Sequence, residues 1–125
     1  MELREVVQGE VETIGGSATL VEAAERMNDI SVGSLAVTVD RSLEGIFTER
    51  DVLRAVAEGA DVDTATVGEW MTAYPDSVYP DMDVLDAADW MLAAGYRHLP
   101  VMDGGRLVGM ASMKDILWAV TEGKR

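Results

Sequence analysis

Apolar residues recur along the first half of the chain with two periods. Leu20, Ala23, Ala24 and Met27 fall at helical spacing, and Thr19 with Glu22 three residues later makes the capping-box pattern of a helix start. The runs SLAVTV from Ser34 and LEGIF from Leu43, parted by the turn-forming DRS, predict two short antiparallel strands. Val52, Leu53 and Val56 then give a second amphipathic helix, stopped at Gly59. A short apolar segment near Val11 to Ile14 precedes the first helix. The unit therefore reads β-α-β-β-α, its first two strands parallel through a right-handed crossover and its last two antiparallel.

The pattern then repeats. Shifted by 64 positions, Thr13 to Gly59 aligns with Ser77 to Gly123 without a gap, and 13 of the 47 pairs are identical, several times the chance level. Val84, Ala87, Ala88 and Met91 behind Asp83 repeat the first helix, and HLPVM, the Asp103-Gly104 turn and RLVGMA repeat the hairpin. Ile116, Leu117 and Val120 repeat the second helix up to Gly123, and an apolar segment around Val78 repeats the leading strand. The lead-ins also echo each other, LREVV from Leu3 with VGEWM from Val67. This divides the chain into a first repeat over 1–60, a linker over 61–66 and a second repeat over 67–125. Each small sheet has one face to bury, so the expected fold is α/β, with the two repeats packed sheet to sheet as one compact module.

Composition narrows the chemistry. With 10 Lys and Arg against 23 Asp and Glu, the net charge of -13 repels phosphate backbones, so nucleic acid is not an expected partner. A single histidine, His98, and no cysteine leave no disulfide, thiolate catalysis, Cys-rich zinc site or His-pair metal site. No apolar run reaches the ~18 residues a membrane span needs, and the acidic start carries no apolar targeting segment, so a soluble cytoplasmic protein is expected. Only two lysines accompany this acidity, a balance that suggests a halophilic, salt-rich cytoplasm, although acidity also serves solubility in an ordinary protein.

The segments GIFTERD (Gly45 to Asp51) and GMASMKD (Gly109 to Asp115) put a hydroxyl and a carboxylate three residues apart at a strand-to-helix junction. A helix N-terminus presents unpaired N–H groups that suit a phosphate, and a carboxylate one turn in can accept both hydroxyls of a ribose. Thr48 and Ser112 can bond a phosphate or ribose oxygen. The same pattern equally describes two capping boxes with no ligand.

The tandem repeat, the paired G-h-x-[ST]-x-x-D junctions, the RHLPV strand from Arg97 and the EWMT lead-in from Glu69 resemble a tandem CBS-domain pair, named for cystathionine beta-synthase, over nearly the whole chain. The resemblance implies a pseudo-twofold module with two clefts between the repeats, dimerising into a disc. It implies binding of adenosine ligands such as AMP, ADP, ATP or S-adenosylmethionine, as in energy sensing, to regulate an attached or partner protein. On that pattern Asp51 and Asp115 are the ribose carboxylates, Thr48 and Ser112 the hydroxyls beside them, and main-chain groups around Ile14, Val78, Leu35 and Leu99 hold the base.

A phosphate on so acidic a chain needs local cations. Arg50 and Lys114 are equivalent within the two motifs, and Arg97 and His98 precede the second central strand where the first repeat has Gly33 and Ser34. The two sites are therefore expected to be unequal, with stronger phosphate binding where Arg97 and His98 face the ligand. Against this stand a solvated first-turn role for Arg50 and Lys114 and a packed histidine at 98. Trp90 and Trp118 replace Arg26 and Arg54 of the first repeat, which suggests a homodimer with Arg26 over Trp90 of the other copy or, alternatively, tryptophans that meet their own chain. A regulatory, non-enzymatic module is the leading expectation, with no required cofactor, an adenosine-type small molecule as ligand and an unidentified regulated protein as partner. A ligand-free dimerisation or interaction module is the alternative. An enzyme is disfavoured because His98 has no nucleophile and orienting acid beside it in the motif.

Overall fold

The computed structural model describes residues 1–7 and 10–122; Gly123, the second expected helix stop, lies outside them with Lys124. The architecture is α/β, built as two β-α-β-β-α repeats. In the first, β1 (Thr13–Ile14) leads to α1 (Leu20–Ile30), the hairpin β2 (Ser34–Val39) and β3 (Ser42–Thr48), and α2 (Glu49–Ala57). A short helix α3 (Val67–Trp70) and strand β4 (Thr72–Ala73) follow. The second repeat supplies α4 (Val84–Ala94), β5 (His98–Asp103), β6 (Arg106–Ser112) and α5 (Met113–Glu122).

The helices begin where side chains can satisfy their first amides. Thr19 Oγ1 accepts from the Glu22 amide, and Glu22 returns a carboxylate oxygen to the Thr19 amide. α1 and α4 end on left-handed residues at equivalent positions, Ser31 and Gly95. The hairpin turns are also equivalent, with left-handed pairs Asp40-Arg41 and Gly104-Gly105. Both are two-residue turns of the kind that match strand twist. The second turn thus falls one residue later than the Asp103-Gly104 expected from the sequence, and Asp103 instead pairs with Arg106.

The leading strands differ between the repeats. β1 pairs parallel with β2, and the Ala36 amide donates to the Glu12 carbonyl at 3.0 Å. In the second repeat the donor's position is held by Pro100, which has no N–H, and the strand shrinks to a single parallel bridge between Val78 and Val101.

The chain forms two compact units that cut across the sequence repeats. Unit one is Met1–Val11 with Asp76–Arg125, and unit two is Glu12–Pro75. Each lead-in is built into the unit of the other repeat, with matching bonds. The Leu3 amide donates to the Met82 carbonyl at 2.9 Å as the Val67 amide does to Ala18 at 2.8 Å; Arg4 to Pro80 at 3.0 Å matches Gly68 to Gly16 at 2.9 Å. Residues 61–66 also join unit two, where the carbonyls of Val62 and Ala65 accept from the first amides of α1. The unit-one core gathers Leu3, Val6, Val84, Met91, Leu99 and Ile116, and the unit-two core Leu20, Met27, Leu35, Val37, Phe47 and Val67.

Candidate functional site

In both units the hairpin's second strand runs straight into a helix, and the junction is held by the residue just before the first strand. In unit two the Glu49 amide donates to the Gly33 carbonyl at 3.0 Å; in unit one the Met113 amide donates to the Arg97 carbonyl at 3.0 Å. Ser34 pairs with Thr48 across the hairpin, and His98 with Ser112. The backbone therefore brings Arg97 and His98 to the Ser112–Asp115 junction, and puts Gly33 and Ser34 in their place at Thr48–Asp51. The register thus shows which junction Arg97 and His98 adjoin, a point the sequence left open.

At Thr48–Asp51 the carboxylate is buried, with 8% of the residue exposed. Asp51 Oδ2 accepts from the Thr48 amide at 2.8 Å and from its hydroxyl at 3.2 Å, and the Asp51 amide donates to Thr48 Oγ1 at 3.4 Å. Asp51 Oδ1 accepts from Arg54 at 3.4 Å. That arginine also donates to the Trp70 carbonyl at 3.1 Å and stacks on the Trp70 ring, 4.9 Å from its centroid. Sequence reasoning missed this contact, although an acid and an arginine three apart on a helix are its signal.

At Ser112–Asp115 the bonding among the described residues is sparser. Asp115 Oδ2 accepts from the Ser112 amide at 3.2 Å, and Ser112 Oγ accepts from the Asp115 amide at 3.1 Å. The position equivalent to Arg54 is Trp118, an exposed side chain without charge. Arg50, Arg97 and Lys114 are exposed, and among the described residues none has an ion-pair partner.

The four residues named for the base lie in the sheets. Leu35, Leu99 and Val78 are buried in the cores, and Ile14 is half-buried at the edge of β2. The Val78 amide donates to the Pro100 carbonyl at 2.9 Å and its carbonyl accepts from Met102 at 2.8 Å, so its main-chain donor is committed to the sheet. Away from the junctions, Arg26 pairs with Glu12 at 3.0 Å. Trp90 meets Tyr96 edge-on at 6.2 Å in its own chain. The Tyr96 hydroxyl donates a short hydrogen bond to Asp76, and the carboxylate raises the phenol pKa above its ordinary value. Among the described residues no helix is long and apolar enough to cross a membrane, and no group of three or more His, Asp or Glu is arranged to hold a metal ion.

Comparison with known proteins places this geometry. The CBS domain family matches residues 3–58 and again 67–122. An uncharacterised 17.7 kDa protein of Acidianus ambivalens is 35% identical over 120 residues, covering 94% of this chain and 72% of its own. The CBS domain-containing protein YhcV of Bacillus subtilis is 33% identical over 115 residues, covering 91% and 81%. A putative signal-transduction protein with CBS domains from Burkholderia ambifaria superposes with a TM-score of 0.93 at 26% identity, over 100% of this chain and 97% of that one. The same fold is seen at 24% identity in CBSX2 in complex with AMP, with a TM-score of 0.85 over 99% and 98% of the chains. It recurs at 24% in the CBS domain pair of protein MJ0100 in complex with 5′-methylthioadenosine and S-adenosyl-L-methionine, with a TM-score of 0.89 over 100% and 98%. The twofold match of the family along the chain, on top of the repeated junctions, makes this protein a member of the CBS-domain family that carries the domain twice.

Proposed function

We propose that the chain is a regulatory module that binds an adenosine-type ligand (AMP, ADP, ATP or S-adenosylmethionine) at its strand-to-helix junctions and passes the ligand state to a partner protein. The carrying observation is the Ser112–Asp115 junction. There the Ser112 hydroxyl at the end of β6 and the Asp115 carboxylate on the first turn of α5 are, among the described residues, only partly engaged by the cap, with Arg97 and His98 beside them in the hairpin and Lys114 in the same turn. In this reading Asp115 and Asp51 accept ribose hydroxyls, while Ser112, Thr48, Lys114, Arg50, Arg97 and His98 meet phosphate or ribose oxygens. Main chain around Ile14, Val78, Leu35 and Leu99 meets the base. The AMP complex of CBSX2 and the 5′-methylthioadenosine and S-adenosyl-L-methionine complex of MJ0100 support it at the level of the fold.

A ligand of the native state must stabilise the fold, by about 2.7 kcal/mol at a hundred times its dissociation constant, and so raise the melting temperature with concentration. Thermal melts with AMP, ATP and S-adenosylmethionine test this. A rise with at least one is expected, and no rise with any of the three contradicts it.

One observation favours the second reading, an interaction and dimerisation module. Leu85 and Leu92 on α4 and Leu117 and Trp118 on α5 are exposed, where the first repeat has Asn28 and Arg54 at the places of Leu92 and Trp118. A second copy of the chain is the occupant this reading requires. Light scattering on Trp118→Glu checks it: a homodimer held there falls to half its mass, and an unchanged mass removes this surface from the contact.

A further inference from the structure

Asp51 and Asp115 hold the same place in the two repeats, yet their carboxylates are in different states. A carboxylate offers about four lone-pair positions, and a ribose diol needs two of them. At Asp51 three are taken, by the Thr48 amide, the Thr48 hydroxyl and the Arg54 guanidinium. The Thr48 hydroxyl is spent in both directions, donating to Asp51 and accepting from its amide. At Asp115, among the described residues, the Ser112 amide is the one donor on the carboxylate, and the Ser112 hydroxyl accepts from the Asp115 amide with no acceptor of its own proton.

Arg54 is half exposed, yet it is held by the Asp51 carboxylate, the Trp70 carbonyl, the Trp70 ring face and, at 3.9 Å, the Glu58 carboxylate. The Trp70 contacts hold the guanidinium against Asp51, and it must give up its bond to Asp51 before that carboxylate can turn to a sugar. In unit one the equivalent side chain is that of Trp118, which carries no charge and, among the described residues, makes no hydrogen bond to Asp115.

Resting on the adenosine-ligand reading above, we propose that Arg54 is a built-in stand-in for the ligand at Asp51. The chain then has one tight ligand site, at Ser112–Asp115. The Asp51 site is weaker by about ten- to a hundredfold because the arginine must be displaced.

Calorimetric titration of the full chain with AMP and with S-adenosylmethionine, on the wild type and on Arg54→Met and Arg54→Gln, tests the proposal. The expected result is one tight site per chain in the wild type and two of similar affinity in the variants. Adding Asp51→Asn to Arg54→Met returns the count to one. Two equal sites in the wild type overturn the assignment of Arg54 while leaving the adenosine reading intact. A count that stays at one in both Arg54 variants, with their circular dichroism unchanged, does the same. No heat from either ligand in the wild type overturns the adenosine reading and this inference with it.

Discussion

Gly45 and Gly109 stand at equivalent positions, and each gives up its side chain to the same neighbour. A Cβ on Gly45 would sit 2.5 Å from Met71 Sδ and 2.8 Å from the Thr72 carbonyl oxygen; one on Gly109 would sit 2.3 Å from Val7 Cγ1. Val7 and Met71 are themselves equivalent, so the glycine of each junction motif is explained by the lead-in that crosses it. We expect Gly45→Ala and Gly109→Ala each to cost about 1–3 kcal/mol through overpacking, measured by urea unfolding. Tyr96 supports a pH prediction. Ionising its phenol destroys the donor to Asp76 and sets two negative charges together, which is why the folded pKa is raised. The contribution of this bond is fully present below the unfolded phenol's pKa of about 10, and it is lost as the pH rises through the raised folded value. Asp76→Asn should bring the Tyr96 titration back down toward that ordinary value, as followed by phenolate absorbance.

At the scale of elements, the helices and hairpins were legible because their signals are local. Thr19 and Glu22 mark the start of α1, and SLAVTV coincides with β2 from Ser34 to Val39. The junctions were legible for the same reason: Thr48 to Asp51 and Ser112 to Asp115 cap α2 and α5 within a single turn. Thr48→Ala should therefore lower stability by about 0.5–2 kcal/mol whether or not a ligand binds. What local signals do not carry is the choice between partners of equal chemistry. LREVV and VGEWM are recognisably alike, yet their likeness is silent on which repeat each joins, and the structure exchanges them. The Val78 strand was overestimated because its apolar character says nothing of Pro100, the missing donor on its neighbour. Since Leu3 is fully buried in a core that, apart from the lead-in residues Val6 and Val7, is made of the second repeat, Leu3→Ala should cost about 2–5 kcal/mol in denaturant unfolding. The conservative Leu3→Met should cost much less.

For the whole molecule the dominant fact is its charge of -13, against which a nucleotide's phosphates must bind. The field is long-ranged at low salt, where the screening length at 0.01 M is about 30 Å, and short at about 1 M, where it is about 3 Å. ATP should thus bind more tightly as salt rises over that range, while S-adenosylmethionine, which carries no phosphate, should show little of that dependence in the same titrations. On the proposed reading, the unlike bonding of the two junctions makes two inequivalent sites for one ligand chemistry, with the tighter expected at Asp115, beside Arg97 and His98. The most direct measurement is calorimetric titration with AMP, ATP and S-adenosylmethionine, repeated on Asp115→Ala. Saturable heat from at least one of them in the wild type, its tight phase lost in a still-folded Asp115→Ala, is the predicted result. No heat from any of the three, or binding that survives Asp115→Ala unchanged, would contradict the account.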